Sequence, residues 1–389
     1  MGGHIVIAPD KFKGSLTAQQ AARAMSRGVK RANPSLTTVE CPVADGGDGT
    51  LDAVAAAGFG MVAVTAPGPT GRPVQCSYAR RGDTAVIEMA DICGLQRLPD
   101  GARDPMNSSS YGLGAVVAQA VNDGCRDIII GVGGSASTDG GAGLVSALGA
   151  AVLDRDGVPI GPGGRGVADA ASIDLTGLHP AVGAATFTVA VDVDNPLCGP
   201  LGAAAVYAPQ KGATPRQVVE LDRALAHWAD TVDQATGTSF RDAPGAGAAG
   251  GIGFTALAVM GARMRPGIEL ILDLIGLDRH LAGARGTLTG EGSLDQQSLR
   301  GKAPVGVCRR ASRRHVPTFA VAGVSTLSPA EARAAGFAGV RMLRDVEPDP
   351  ERSIRRAAAL LTAVSEQLAR EQWAGAAVGR DDALHGRCG

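Results

Sequence analysis

The chain has 389 residues, of which 45% are hydrophobic and 19% are charged. This balance predicts a folded protein with a buried core and excludes a disordered chain, and the length suffices for two domains or one large α/β domain. The formal net charge of −1 argues against nucleic acid or a membrane surface as a general partner, so any anion site has to be local.

The cysteines and the N-terminal segment favour a cytoplasmic protein. The seven cysteines are scattered without a CxxC spacing, which indicates reduced thiols rather than disulfides or a cysteine-bound metal. The apolar run near the N-terminus is too short for a signal peptide, and no window of about 20 apolar residues could span a membrane.

Short runs rich in β-branched residues predict buried strands along most of the chain. In chain order, they cover residues 4–9, 37–43, 61–67, 84–90, 126–134, 187–195, 286–292, 317–323 and 339–345.

Helical patterns separate several of these runs. They cover residues 17–29, with Thr17 as a suitable N-cap, and residues 141–151, 216–236 and 303–313. Strands that alternate with helices predict parallel sheets in an α/β fold. In such folds ligands bind beyond the carboxyl ends of the strands.

Charged residues and one asparagine lie near or just after the ends of five of the predicted strands, at the positions where a ligand would bind. They are Asp10, Lys11 and Lys13; Asp45 and Asp48; Asp139; Asp192, Asp194 and Asn195; and Glu291 and Asp295. For Lys11 a plain surface position is sufficient, and for Asp48 stabilisation of a helix N-terminus is sufficient.

The segment "IIIGVGGSASTDGGAGLVSALGA" predicts a strand, a glycine-rich turn and a helix that begins near Gly140. Small residues expose backbone N–H groups, and a helix N-terminus adds about half a positive charge, so together they would hold a phosphate. The pattern matches neither a P-loop nor a dinucleotide fingerprint. A tight strand–helix connection is the structural alternative. The candidate phosphate ligands are Gly133, Gly134, Ser135, Ser137, Thr138 and Asp139.

Several further positions could hold a metal or an acidic substrate. Asp45, at a predicted strand end, and Asp48, in the glycine turn before the next helix, could bind Mg²⁺, which takes one or two carboxylates with phosphate and water. Lys13 could bind phosphate or carboxylate as a point charge, and Lys211, in the segment "APQKGA", is predicted to lie on a loop. The six histidines form neither an HExxH motif nor a recognisable Ser/His/Asp arrangement, which argues against zinc enzymes and serine hydrolases.

The segment "LTGEGSLDQQSLRGKAP", residues 288–304, holds Glu291, Asp295 and Lys302 among glycines. A plain turn requires one glycine and one aspartate at most, so this segment has more charged residues and glycines than a turn needs. The structural alternative has Asp295 capping the next turn and Lys302 starting a helix.

Together these motifs resemble the bacterial glycerate kinases that phosphorylate D-glycerate with ATP. The resemblance is carried by "IAPDKFKGSLTA", "PVADGGDGT", "GVGGSASTDGGAG", "DVDNPLCG", "APQKGA", "GAAGGIG", "RPGIELILD" and "TGEGSLDQQSLRGKAP", in one order along most of the chain. It implies two α/β domains with the active site in the cleft that separates them: a Rossmann-like parallel-sheet domain from residues 1–65 and 285–375, and an inserted domain from residues 66–284. Residues 376–389 are expected to form a flexible tail.

The resemblance also implies ATP and Mg²⁺ as the reaction partners, 2-phosphoglycerate as the product, and a monomer or homodimer. Asp192 is the predicted base, with Asp295 second, and Lys13 and Lys302 are predicted to offset charge. The remaining assignments are Asp10, Lys13, Asn195, Lys211 and Glu291 for substrate, Asp45, Asp192 and Glu291 for metal, and the segment from Gly133 to Asp139 for nucleotide phosphates.

Alternative functions remain open at this point. One is a kinase of a related hydroxyacid, or of the 3-hydroxyl of glycerate. Another is a phosphate-dependent sensor without turnover, against which the density of acids at strand ends argues. An NAD-linked dehydrogenase would need a dinucleotide fingerprint, and the sequence has none.

Overall fold

A computed structural model describes residues 3–299 and 301–373. The predicted flexible tail, residues 376–389, lies outside the described residues. No helix in the described part of the chain is long and apolar enough to cross a membrane.

The strands of the described residues are, in chain order, β1 (Ile5–Pro9), β2 (Thr38–Glu40), β3 (Gly60–Pro67), β4 (Pro73–Arg81), β5 (Thr84–Glu88), β6 (Asp127–Gly131), β7 (Ala151–Leu153), β8 (Ser172–Asp174), β9 (Thr186–Ala190), β10 (Arg263–Arg265), β11 (Gly286–Leu294), β12 (Thr318–Ser325) and β13 (Phe337–Met342).

The α-helices of the same residues are α1 (Ala18–Ala32), α2 (Thr50–Ala56), α3 (Met89–Cys93), α4 (Tyr111–Asn122), α5 (Ala142–Ala147), α6 (Gly163–Val167), α7 (Ala203–Tyr207), α8 (Pro215–Thr236), α9 (Ala248–Ala258), α10 (Gly267–Leu274), α11 (Leu277–Leu281), α12 (Gln296–Leu299), α13 (Ala303–Ser312), α14 (Pro329–Ala334), α15 (Pro350–Arg355) and α16 (Ala357–Gln372).

The chain forms two compact units by the proximity of its Cα atoms. One comprises residues 1–44 and 272–389, and the other comprises residues 45–271. We call them the terminal unit and the middle unit. The chain passes from the middle unit to the terminal unit within α10. The domain limits near residues 65 and 285 stay predictions.

The terminal unit contains a five-stranded sheet in the order β13-β12-β11-β1-β2, and every pair of neighbours is parallel. This is the α/β sheet that the alternation of strands and helices predicts. Helices α1 and α16 pack side by side on it, so closely that a Cβ on Gly28 would lie 2.3 Å from the backbone oxygen of Thr362. Glycine at this position therefore permits the contact between the two helices. Thr17 caps α1, as predicted, and its hydroxyl accepts a hydrogen bond from the N–H of Gln20.

The middle unit contains a mixed six-stranded sheet in the order β10-β9-β6-β5-β4-β3. Strands β5, β6, β9 and β10 are parallel to one another, whereas β4 is antiparallel to both of its neighbours. The carboxyl ends of β3, β5, β6, β9 and β10 consequently lie at one edge of this sheet. A short hairpin-like pair, β7 and β8, forms a separate small sheet.

The longest helix of the middle unit, α8, follows from clear local signals. Thr214 and Gln217 form a capping box, Pro215 occupies the first turn, and Gly237 ends the helix with a left-handed φ of 69°. Its apolar stripe is buried against α6, α7 and α9; the fully buried members include Leu221, Leu225, Trp228 and Val232.

Three elements near the candidate site differ in length from their predictions. Strand β9 ends at Ala190 rather than continuing to residue 195, so Asp192 and Asn195 lie in the following loop. Strand β11 continues to Leu294 rather than ending at residue 292, so it extends beyond Glu291 towards Asp295. Helix α5 is also shorter than predicted, because its chain enters β7 only a few residues later.

Candidate active site

A cavity of about 290 Å³ lies at the carboxyl ends of β6 and β9 in the middle unit. Because Gly131 and Ala190 are paired at the ends of these two strands, the residues that follow them are brought together. Residues predicted from the sequence that line the cavity are Asp45, Gly133, Gly134, Ser135, Asp192 and Lys211. Two strand ends that are far apart in sequence, Gly131 and Ala190, therefore contribute to one concave surface.

Asp192 shares this cavity with a second carboxylate, that of Asp45. Its Oδ1 accepts a hydrogen bond of 2.9 Å from the N–H of Gly267. Over a third of Asp192 is accessible from the cavity. The surrounding walls still remove enough bulk water to raise its pKa to about 6, against the opposing hydrogen bond from Gly267, and the negative charge of Asp45 adds to the rise.

Glycines at the end of β6 and directly after it permit close packing against the loop that follows Asp45. A Cβ on Gly131 would lie 2.5 Å from the backbone oxygen of Gly46, and one on Gly133 would lie 2.8 Å from the Cα of Gly47. Part of the glycine content of this segment is therefore needed for the approach of two backbones, independently of any ligand.

Asp139 is a buried carboxylate just before the start of α5. It is almost fully buried, and its Oδ2 accepts hydrogen bonds from the N–H (2.7 Å) and the hydroxyl (2.8 Å) of Ser110. Its Oδ1 accepts a further bond of 3.2 Å from the N–H of Gly141. The N–H of Leu144 is also bonded, to the hydroxyl of Ser110. The first turn of α5, where the sequence predicts a phosphate, thus already holds a carboxylate of the chain itself.

Lys211 is buried and contacts the backbone of the glycine-rich segment. Its Nζ donates a hydrogen bond of 2.5 Å to the backbone oxygen of Ser137. Burial lowers the pKa of this ammonium group to about 7, although the negative charge of Asp139 opposes the change. The sequence predicts a loop lysine that binds substrate; the structure adds a direct contact with the predicted phosphate-binding segment.

The same segment is held at its other end by α8 and α9. The indole N–H of Trp228 donates to the backbone oxygen of Gly140 at 3.1 Å, and the hydroxyl of Thr255 donates to the same oxygen. Ser137 and Thr138 are fully buried, and within the described residues neither hydroxyl has a hydrogen-bond partner. The segment is therefore rigidly supported before any ligand binds.

Asn195 lies in the loop after β9 and is held by its neighbours. Its Nδ2 donates to the backbone oxygen of Leu201 at 2.8 Å, and its Oδ1 accepts from the hydroxyl of Tyr207 at 2.5 Å. Tyr207 itself lines the cavity, and sequence reasoning missed it. Its position four residues before Lys211, at the end of α7, is the signal that could have indicated it.

Ala249 is a second lining residue that the sequence did not single out. It has a φ of 54°, and Gly250 and Gly251 continue the left-handed conformation. A Cβ on Gly250 would lie 2.2 Å from the backbone oxygen of Ser137, so glycine is required there by both conformation and space. Unfavourable backbone conformations of non-glycine residues often occur at functional sites, and here one lies on the cavity wall.

Candidate residues of the terminal unit gather at the carboxyl edge of its own sheet. Asp10 follows β1, and its N–H donates to the backbone oxygen of Gly290, the residue before Glu291. Both acids are nearly buried. Lys13 is exposed, and its backbone nitrogen would lie 3.3 Å from a Cβ on Gly292. The segment after β1, which carries Asp10 and Lys13, therefore lies next to the part of β11 that carries Glu291.

Asp295 and Lys302 occupy the positions that the structural alternative describes. Asp295 Oδ1 accepts hydrogen bonds from the N–H groups of Gln297 (2.8 Å) and Ser298 (3.1 Å), so it caps α12. Lys302 is the N-cap residue of α13, and its Nζ lies 3.5 Å from Oε1 of Gln297. The catalytic roles predicted for these two side chains stay predictions.

The carboxylates of Asp45 and Asp192 are the groups of the middle unit that a divalent cation could use as ligands. Among the described residues, no group of three or more His, Cys, Asp or Glu side chains could hold a metal. Asp45 and Asp192 nevertheless share one cavity. Two carboxylates are what Mg²⁺ takes when phosphate oxygens and water complete its coordination. The donor set therefore fits a cation that arrives with a phosphate.

Comparison with known proteins gives the family. The sequence model of the glycerate kinase family matches residues 5–372. A glycerate kinase of Bacillus subtilis (strain 168) is 43% identical, over 82% of this chain and 84% of the relative. A glycerate 2-kinase of Escherichia coli (strain K12) is also 43% identical, over 83% and 85% of the two chains.

A solved structure supports the same family. A chain named as glycerate kinase 2 in a crystal structure from Salmonella typhimurium LT2 superposes with a TM-score of 0.85 and 38% identity, over 96% of this chain and 99% of that one. The motifs, the family match and the fold lead to one conclusion. The chain belongs to the glycerate kinase family.

Proposed function

We propose that the protein transfers the γ-phosphoryl group of ATP to the 2-hydroxyl of D-glycerate and forms 2-phosphoglycerate. The family supports the acceptor, and a relative named glycerate 2-kinase supports the position. The observation that carries the proposal is the cavity in which Asp45, Asp192 and Lys211 meet the glycine-rich segment. Phosphoryl transfer needs positioning, neutralisation of charge and a base near the attacking hydroxyl, and this cavity offers groups for each.

Asp192 is the proposed proton acceptor for the hydroxyl of glycerate. With a pKa of about 6 its carboxylate is ionised at neutral pH, yet it is more basic than an ordinary aspartate. A base with a pKa near the working pH combines the correct protonation state with a useful driving force for proton transfer. The hydrogen bond from Gly267 to Oδ1 fixes the carboxylate, and Oδ2 is left for the substrate hydroxyl.

Lys211 has a supporting role in the proposed reaction. Its ammonium group keeps the backbone oxygen of Ser137 in place, so the segment that lines the cavity keeps its shape when anionic substrates enter. The positive charge also favours the binding of two negatively charged substrates in the same small volume.

Asp45 would hold Mg²⁺ together with the phosphates of the nucleotide, which leaves Asp192 to act as the proton acceptor. The cation would supply neutralisation of charge on the β- and γ-phosphate oxygens. In the terminal unit, the roles of Asp10, Lys13, Glu291, Asp295 and Lys302 stay proposals. Phosphorus NMR of the product tests those of the two lysines through the Lys13→Met and Lys302→Met variants.

Phosphorus NMR of the product from ATP, Mg²⁺ and D-glycerate tests the proposal. The wild type should give the signal of 2-phosphoglycerate, and Asp192→Asn should lose it. Asp194→Asn is the matched control, because Asp194 is an exposed acid in the same loop that does not line the cavity. It should keep the wild-type signal.

Other outcomes would contradict separate parts of the proposal. A signal of 3-phosphoglycerate would keep the kinase and overturn the position of transfer. Formation of a different phosphorylated hydroxyacid, with none from glycerate, would overturn the acceptor. Folded wild-type protein that consumes no ATP with any hydroxyacid would favour a sensor that binds nucleotide without turnover.

A further inference from the structure

A second cavity, of about 660 Å³, lies in the middle unit beyond the carboxyl end of β3. Its lining comes from the turn after β3, from the segment that leads into α4, from α5 and β7, and from the loop before α6 with α6 itself. Residues from these parts include Thr70, Asp104, Tyr111, Ala142 and Ile160. The cavity has more than twice the volume of the first one, which is far more than a three-carbon acid fills.

The lining of this second cavity is suited to a flat, partly apolar ligand. Val152, Ile160 and Val167 contribute apolar surface. Tyr111, at the first position of α4, is 45% exposed although it is a large aromatic residue. An apolar pocket with a few polar groups is typical of small-molecule sites, and exposed aromatic rings stack on nucleobases.

The polar group best placed for a ligand is the carboxylate of Asp104. Its Oδ1 accepts hydrogen bonds from the N–H (3.2 Å) and the Nδ2 (2.9 Å) of Asn107, which fix its orientation. Its Oδ2 accepts one longer bond of 3.1 Å from the same Nδ2, so it keeps capacity for a further donor. Nucleotide-binding α/β folds use a carboxylate in this way to bind ribose hydroxyls.

One chain segment borders both cavities. Gly133, Gly134 and Ser135 line the first, and Asp139, Ala142 and Gly143 line the second. Both cavities lie at the same edge of the same sheet, at the ends of β6 and β9 for the first and of β3 for the second. An elongated ligand with an apolar base at one end and phosphates at the other matches this arrangement.

We propose that the second cavity binds the adenosine of the nucleotide, with the adenine against Tyr111 and the ribose hydroxyls on Asp104. The inference rests on the proposed function, because it takes ATP as the phosphoryl donor. It adds the place of the base and the ribose, for which the sequence motifs gave no residue.

Steady-state kinetics of Tyr111 variants test the proposal. Tyr111→Ala should raise KM for ATP at least tenfold and leave KM for D-glycerate within twofold of the wild type. Tyr111→Phe keeps the ring and should leave both values within twofold. Met61→Ala, which removes an exposed apolar side chain of β3 outside the cavity lining, is the matched control and should change neither value. An unchanged KM for ATP in Tyr111→Ala would overturn the proposal.

Photolabelling of the wild-type chain with 8-azido-ATP gives a test that needs neither a variant nor turnover. Trypsin releases residues 104–126 and 156–165 as separate peptides, and these carry lining of the second cavity but none of the first. The label should appear in these peptides, and excess ADP but not D-glycerate should suppress it. Label confined to other peptides would overturn the proposal.

The two proposals can fail separately. Label in the expected peptides of a chain that forms no phosphoglycerate would support the nucleoside site and overturn the proposed reaction. Formation of 2-phosphoglycerate by a chain whose label lies elsewhere would support the reaction and overturn the nucleoside site.

Discussion

The ionisation of Asp192 links the geometry of the first cavity to a measurable pH dependence. Burial raises the pKa of this carboxyl to about 6, and a proton acceptor works only when ionised. We therefore expect kcat/KM for D-glycerate to fall about tenfold per pH unit below pH 6 and to reach a plateau above about pH 7. The measurement is the pH profile of the wild type, with the nucleotide and Mg²⁺ saturating.

The variants make this prediction specific to one side chain. Asp192→Asn should lower the plateau by about 10²–10⁴-fold, the usual contribution of a general base, and should lose the acidic limb. Asp194→Asn should keep both. An acidic limb near pH 6 that persists in Asp192→Asn would assign it to another group.

We expect Lys211 to contribute to function rather than to the stability of the fold. Burial of its ammonium group opposes the gain from its hydrogen bond with Ser137. Methionine has a similar length and carries no charge. We therefore expect Lys211→Met to change the free energy of unfolding at pH 7 by less than about 1 kcal/mol, because relief of the buried charge offsets the lost hydrogen bond. Activity should fall steeply.

Urea unfolding and steady-state kinetics of the same preparations check this separation. Lys30→Met, in the exposed last turn of α1, is the control and should retain full activity. A loss of several kcal/mol in Lys211→Met, in proportion to its loss of activity, would mean that Lys211 acts only by holding the fold together.

Helix α2 is capped by a distant buried carboxylate rather than by its own N-cap residue, Gly49. Glu88, the last residue of β5, accepts hydrogen bonds from the N–H groups of Gly49 (3.3 Å) and Leu51 (3.1 Å). Burial raises the pKa of Glu88 to about 7, against the hydrogen bonds to these N–H groups, and the negative charge of Asp48 adds to the rise. This carboxylate therefore connects the sheet to the loop that carries Asp45.

The raised pKa predicts how this connection affects stability. Since the folded state holds the proton up to about pH 7 and the unfolded state releases it near pH 4.5, stability falls as the pH rises through this window. The loss amounts to about 3 kcal/mol at most. Glu88→Gln should remove this slope, so the difference in urea midpoint between pH 5 and pH 8 should be smaller than in the wild type.

Glu40→Gln serves as the control for the pH measurement. Glu40 is exposed at the end of β2, so its substitution should leave the slope of the wild type unchanged. An equal slope in Glu88→Gln and the wild type would show that Glu88 does not hold a proton in the folded state at neutral pH.

The strands could be predicted from the sequence wherever their residues are continuously apolar. Strands β6 and β12 are of this kind, since both faces of a parallel strand are buried. Strand β4 was not predicted, because its sequence PVQCSYARR mixes polar and charged residues in an antiparallel strand with one face less buried. Helix α4 was not predicted either, and its two glycines weaken the local helical signal.

The sequence identified those residues of the candidate site that closely follow a predicted strand. Asp45 and Asp192 were identified because each closely follows a β-branched run, and the structure brings them into one cavity. The contact of Lys211 with Ser137 joins residues 74 positions apart, and no local pattern indicates it. The second cavity was missed for the same reason, since its walls come from segments that only the tertiary fold assembles.

The two units differ in how their chains are arranged, and this has a consequence for folding. The middle unit is one continuous segment with its own sheet and its own buried clusters. In the terminal unit, β1 lies between β2 and β11, so residues from both ends of the chain are needed to complete one sheet. Neither end contains a complete core alone.

We therefore expect a fragment of residues 45–271 to fold by itself, because its apolar surface is buried against other parts of the same segment. Its urea unfolding should be a single cooperative transition, and its circular dichroism should show mixed helix and sheet. A fragment of residues 272–373, the matched piece of the terminal unit, lacks β1 and should show no cooperative transition. Without β1 the strand edge of β11 and part of α13 would be left uncovered, and without α1 the apolar face of α16 would be left uncovered. A non-cooperative transition in fragment 45–271, or a cooperative one in fragment 272–373, would contradict this dependence on chain arrangement.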